Sequence, residues 1–230
     1  MINHNYKFIY TRVAKTGSTS IIEHFVPGYV KLQIERAMPS DMKPPGYNQW
    51  KHDRQHIPLY HMNKYCETVI YETYFKFAFV RNPYERLVSS YLYTKDWYNH
   101  YECMDKYSTF KQFVTDIFVE HKDETCRSKY GPQYEFVEGS DYVGRYEKLQ
   151  QHYDHVCNTL NVPRKNLPVE NRVYPWRWST AHNRYTKFHQ ENPLPPRAHY
   201  SVYYDTDMKR LVDTIFQQDI ELYKYSYEQI

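Results

Sequence analysis

Lys7 to Val13 (KFIYTRV) is a short apolar and aromatic run that reads as a buried strand. It meets Ala-Lys-Thr-Gly-Ser-Thr-Ser at once, and Ile21 to Phe25 continues as helix. The same order recurs at Lys76 to Val80 (KFAFV), which Arg81-Asn82-Pro83 ends, with Pro83 suited to the first position of a helix. In that helix Leu87, Val88, Tyr91 and Leu92 share one face and Arg86, Ser89, Ser90 and Tyr93 another, so a core side separates from a motif side. Phe110, Phe113, Val114, Ile117 and Phe118 predict a further amphipathic helix. Asp141 to Tyr146 predicts a third strand, running into a helix over Glu147 to Leu160. From Met208 to Tyr223 apolar residues recur at helical spacing, which predicts one terminal helix capped by Asp205 or Thr206. Between these elements, Met38 to Pro58 and Pro163 to Arg197 are proline-rich and predict loop. Strand alternating with helix implies an α/β protein with a central parallel sheet flanked by helices, and 230 residues suit a single domain over 1–230.

Composition changes this picture little. Tyrosine is the exception at 27 copies, a residue whose ring and hydroxyl serve a polar cleft as readily as a core. A net charge of +3 does not indicate nucleic-acid binding, but between Pro163 and His189 six basic residues face a single acid, Glu170, and such a stretch suits an acidic substrate. Cys66, Cys103, Cys126 and Cys157 form no Cys-x-x-Cys pair, so neither a zinc ribbon nor a dense disulfide framework is expected; a Cys103–Cys126 bridge would need an oxidising compartment. No long apolar run precedes the first motif, which predicts no membrane contact and a cytoplasmic protein as written, or a Golgi-luminal one had an anchor been removed.

Candidate chemistry lies at the two strand ends. Lys15-Thr16-Gly17-Ser18-Thr19-Ser20 enters a helix N-terminus, where unpaired N–H groups and about half a positive charge favour an anion. Gly17 lets backbone approach, Thr16, Ser18 and Thr19 carry hydroxyls, and Lys15 brings a cation. The glycine follows the Lys-Thr pair, the reverse of the nucleoside triphosphatase loop, and no magnesium-binding acid is evident, so no metal site is expected. A helix cap with a surface lysine is the plainer reading of this segment alone. At the second strand end, Arg81 supplies a guanidinium fork and Ser89 a hydroxyl two helical turns later. Arg86 is ambiguous, since an ion pair with Glu85 or Glu147 would explain it equally well.

Ala14 to Ser20 together with Phe77 to Tyr91 (FAFVRNPYERLVSSY) resembles the paired signature of sulfotransferases that use 3′-phosphoadenosine 5′-phosphosulfate (PAPS) and release adenosine 3′,5′-bisphosphate (PAP). The likeness is to the carbohydrate branch that includes heparan sulfate 2-O-sulfotransferases, within sulfotransferase family 2. Val143 to Leu149 is similar to the family's Gly-Arg-Phe-Glu stretch, and Tyr200 to Tyr225 to its tail, so the resemblance spans nearly the whole chain. It implies a P-loop-like sulfotransferase fold. It also implies that Lys15, Thr16, Gly17, Ser18 and Thr19 hold the 5′-phosphosulfate, that Arg81 and Ser89 hold the 3′-phosphate, and that Arg145 belongs to the donor site.

Transfer to a hydroxyl needs a base, and histidine titrates near working pH. His52 and His56 are the candidates, with His56 preferred because Ile-Pro-Leu-Tyr-His-Met after it is similar to the family's segment. A zinc reading of His52-x-x-x-His56 lacks a third ligand nearby. Trp97, Tyr98 and Trp176-Arg177-Trp178 suit sugar faces and their acidic groups, which makes a carbohydrate the expected acceptor; packing of the tryptophans against the core is the alternative. A small nucleotide kinase and a non-catalytic sugar-binding relative are the competing classes.

Overall fold

Parallel strands covered on both faces must be apolar throughout, and the central strands meet this demand. A computed structural model describes residues 1–26, 56–64, 66–97, 107–167 and 198–228. Strands β1 (Ile2–Asn3), β2 (Phe8–Thr11), β3 (Phe75–Val80) and β4 (Tyr142–Arg145) form one sheet in the order β1-β2-β3-β4. β2, β3 and β4 run parallel, with Thr11 opposite Ala78 and Val80 opposite Arg145, so the segments leaving them emerge on one edge. The mostly parallel α/β architecture agrees with the sequence. The antiparallel β1 was not expected: it is turned onto β2 through residues 4–7, where Asn3 Oδ1 accepts the Tyr6 N–H at 3.0 Å.

Each parallel strand is followed by helix, as the alternation of patterns predicts. β2 leads to α1 (Ser18–Phe25). Two short helices, α2 (Leu59–Met62) and α3 (Thr68–Thr73), precede β3, and α4 (Pro83–Trp97) follows it. Helix α5 (Phe110–Val114) continues as a π turn over Thr115–Val119, and α6 (Glu124–Tyr130) and α7 (Tyr134–Val137) lead to β4. After β4 a 3-10 turn (Tyr146–Lys148) opens α8 (Leu149–Thr159), a sharper entry than the continuous helix expected from residue 147.

The terminal helix is two helices, α9 (Thr206–Ile215) and α10 (Gln217–Tyr223), parted at Phe216. Asp205 is the N-cap and accepts the Met208 N–H at 2.7 Å. Beyond the break, Asp219 of α10 is fully buried and accepts the N–H groups of Gln133 and Tyr134 at the start of α7.

Side chains alternate across the sheet as the pleat requires. Phe8, Tyr10, Phe77 and Phe79 pack with Ile21 and Ile22 of α1 and with Tyr153 and Val156 of α8. Ile9 meets Leu59 and Met62 on the other side, where Ala78 and Val80 meet Phe136 and Val137 of α7. On the motif side of α4, Arg86, Ser89 and Ser90 are buried like Leu87 and Val88, and Tyr93 is half-buried. Among the described residues no helix is long and apolar enough to cross a membrane. Met38 to Ser40 and the rest of the first proline-rich loop up to Gln55, most of the second, and Cys103 lie outside the described residues.

Gly144 on β4 tests this packing. A Cβ there would stand 2.6 Å from Phe79 Cε1 and 3.0 Å from His152 Cβ, and the Phe79 ring is itself fully buried. Gly144→Ala should therefore lower the unfolding free energy by about 1–3 kcal/mol, read from the urea midpoint at unchanged slope; an unchanged midpoint would refute the packing described.

Candidate functional site

Two backbone inversions shape the segment between β2 and α1: Lys15 has φ 67° and Gly17 φ 77°. Gly17 answers both conformation and space, since a Cβ would lie 2.7 Å from Leu149 Cδ2 and 3.3 Å from the Tyr146 ring. Thr16 is fully buried and its hydroxyl donates to the Val13 carbonyl at 2.9 Å. That proton closes the loop, so the Thr16 side chain offers an incoming anion no donor in this arrangement. Ser18 Oγ accepts from Arg12 Nη2 at 3.4 Å, and Thr19 is half-buried in the first turn of α1, where N–H groups lack intrahelical acceptors. The Lys15 ammonium rests over the Tyr93 ring, 4.1 Å from its centroid.

The segment after β3 reaches across to this loop. Arg81 is buried; its Nη1 donates to the Lys15 carbonyl at 3.1 Å, its Nη2 pairs with Glu85, and its guanidinium lies 4.1 Å over the Tyr146 ring. Its Nε is buried and has no hydrogen-bond partner among the described residues. The two phosphate elements expected from sequence are thus in contact, with Tyr146 from the third strand's exit beside both. Ser89, two turns along α4, is buried on the same helix.

Arg86 forms no surface ion pair with Glu85 or Glu147. It is 1% exposed, and its Nε donates to the Ala14 carbonyl at 3.0 Å, its Nη1 to Gly131 at 2.9 Å and its Nη2 to Lys129 at 3.5 Å. Burial lowers its pKa to about 10 against the opposing charge of Asp219, which leaves it a cation at neutral pH. Glu85 serves Arg81 instead, and Glu147 accepts the Asn82 N–H at 2.6 Å and the Tyr225 hydroxyl at 3.1 Å.

Arg145 turns toward the C-terminal segment. It donates to the Tyr223 carbonyl and lies 5.0 Å over the Tyr225 ring. It borders a cleft of about 440 Å³ with Asn82, Lys148, His152 and Lys224. Burial together with Arg145 and Lys148 pushes the His152 imidazole below its usual range.

His56 is buried against the base of the first loop, with Nδ1 2.9 Å from the Arg12 carbonyl. A carbonyl only accepts, so Nδ1 carries the proton and a neutral ring keeps its lone pair on Nε2. His52, Tyr98 and Trp176 to Trp178 lie outside the described residues. Arg12, Gln133 and Tyr146, which sequence reasoning passed over, join the cluster. Arg12 and Tyr146 lie inside the predicted strands and directly follow the last residues of the observed ones, a signal that was present; Gln133 carried none.

A family model described as "Sulfotransferase family" matches residues 1–226. No curated protein matches the chain.

Lysine cannot reproduce the planar fork that joins Ala14 to Gly131. Arg86→Lys should therefore cost about 2–4 kcal/mol of stability, measured by denaturant titration; a loss under about 0.5 kcal/mol, the scatter of neutral surface changes, would show that the fork is dispensable.

Proposed function

The chain belongs to the sulfotransferase family, and on that premise we propose that it takes a sulfuryl group from PAPS and passes it to a carbohydrate hydroxyl, with His56 as base. We read residues 1–230 as one such domain. The observation that carries the donor assignment is the contact of the two loops through Arg81, with its buried Nε left over. A buried N–H without an acceptor costs about 1–3 kcal/mol, and a phosphate oxygen is an acceptor of the right charge. The residues present therefore fit the donor.

When bound, PAPS supplies a sulfur whose bond to the phosphate oxygen breaks as the bond to the acceptor oxygen forms, the electron pair leaving with PAP. The roles of the chain follow from position. His56 Nε2 takes the acceptor proton, since Nδ1 is committed to the Arg12 carbonyl. Lys15 leaves the Tyr93 ring to neutralise the negative charge on the departing phosphate oxygen. Gly17 admits backbone to the 5′ end, with Ser18 and Thr19 at the start of α1 beside it. Thr16 contributes backbone and loop closure, not its hydroxyl. Arg81 and Ser89 take the 3′-phosphate. Arg145 anchors the C-terminal segment in this reading rather than gripping the donor.

The carbohydrate acceptor rests on the tryptophans and basic residues noted from sequence, and no nucleic-acid or membrane partner enters the proposal. A panel of polysaccharides and small phenols incubated with sulfur-labelled PAPS decides it: label on the polysaccharides supports the reading, and label confined to phenols ends it. Titration calorimetry should give binding of PAP without added metal and no comparable binding of ATP with magnesium, the reverse of what a kinase would show.

Lys15→Ala and His56→Ala should each lower turnover by about a hundredfold or more, with His56→Ala leaving PAP affinity close to wild type. Turnover near wild type in His56→Ala would move the base to His52 or elsewhere. Arg81→Ala should chiefly weaken PAP binding, and equal affinity would remove Arg81 from the donor site.

A further inference from the structure

Gln133 belongs to none of the motifs, yet it is fully buried and binds both backbone polar groups of one residue. Its Oε1 accepts the Arg81 N–H at 2.9 Å, and its Nε2 donates to the Arg81 carbonyl at 2.8 Å. The orientation of the amide is fixed, because Nε2 also faces Asp219 Oδ2 at 3.3 Å and both of its neighbours are acceptors. Asp219 completes the chain from behind. Its Oδ2 accepts the Gln133 N–H at 2.8 Å and its Oδ1 the Tyr134 N–H at 2.8 Å. Burial raises the Asp219 pKa, while the N–H groups and the Arg86 cation pull it back down.

The clamp stands where the sheet can no longer help. Val80 opposite Arg145 is the last register pair between β3 and β4, so Arg81 is the first residue beyond the ladder. Gln133 supplies the two hydrogen bonds that a neighbouring strand would have supplied, and it supplies them to the residue whose buried Nε has no partner among the described residues. A tilt of about 10° at that peptide would move the end of a ~6 Å side chain by about 1 Å, a displacement that costs up to about a hundredfold where geometry matters.

We propose that Asp219 and Gln133 are positioning residues that act through Arg81: the carboxylate on α10 fixes the Gln133 amide, and the amide aims the Arg81 guanidinium at the 3′-phosphate of the donor. This rests on the reading of Arg81 as a phosphate ligand. Both residues act at a distance from the reacting atoms, and their effect is selective for the 3′-phosphate.

The test uses the full chain and two probes, PAP and adenosine 5′-monophosphate, which lacks the 3′-phosphate. Wild type should bind PAP more tightly. Gln133→Met, which keeps the side-chain length and removes both hydrogen bonds, should lower that preference at least tenfold while leaving affinity for the monophosphate within threefold. Asp219→Asn should do the same, because its amide would set N–H against N–H. Val212→Ala, a buried change in α9 outside this network, is the stability control and should keep the preference at any cost in melting temperature. Preference retained in the two variants, equal loss for both probes, or equal loss in the control overturns the inference. Absence of a cooperative thermal transition in both variants overturns it too, since the pair would then support the core and not the site. A wild type that binds both probes alike removes the donor reading and this inference together, whereas failure confined to the variants removes the inference alone.

Discussion

A guanidinium with almost no contact with water joins three parts of the chain that sequence separates widely. Arg86 lies in the body of α4 and donates to carbonyls of Ala14, Gly131 and Lys129. Taking a cation out of water is expensive, and the expense is offset only when its N–H groups are paired and an opposite charge stands near. The carbonyls provide the first condition and Asp219 the second. The fork is planar and rigid, so it sets distances as well as energies. With Ala14 fixed to α4, the loop that follows must lie against Arg81, and the shared edge of β2 and β3 becomes a site.

The sheet and most helices were legible because their causes are local. Buried parallel strands read as unbroken apolar runs, and proline at the head of α4 and aspartate at the head of α9 mark helix starts by their own backbone chemistry. Boundaries were less legible. The first strand was expected to reach Val13, but it leaves the ladder after Thr11, and Val13 gives its carbonyl to Thr16. The terminal helix was expected to be continuous because its apolar period runs through Phe216 unbroken. Beyond the break, the Asp219 carboxylate serves N–H groups 85 and 86 residues away, a contact that no periodicity contains.

The residues proposed to face the ligand were legible in the sequence, and the residues that support them were not. Gly17, Lys15 and Arg81 stand out in sequence because phosphate loops need glycine and cations next to strand ends. Gln133 and Arg86 look ordinary, since a glutamine in a turn and an arginine in a helix are usually solvated. Only partners 52 and 72 residues away give them meaning. The tyrosine excess resolves in the same way. Tyr84, Tyr200, Tyr204 and Tyr227 pack edge to face, save for the stacked pair Tyr84 and Tyr200, and their hydroxyls reach Asp213, the Glu228 N–H and backbone carbonyls. Part of the surplus therefore builds a core, with every hydroxyl of this group satisfied.

The charges around the first loop argue for an anion independently of any motif. Arg12, Lys15, Arg81 and Arg86 converge on it, and among the described residues Glu85 stands on Arg81 and Asp219 behind Arg86. Like charges gathered where water is partly excluded repel more strongly than on a surface, so the empty arrangement carries a cost that folding elsewhere must cover. Lys15 over Tyr93 and Arg81 over Tyr146 reduce that cost by placing each cation on a ring face. In the proposed reading, an incoming phosphate adds full negative charge at donors held in place by Gln133 and Arg86. On that reading part of the affinity is relief of repulsion among these cations, with little reorganisation to oppose it.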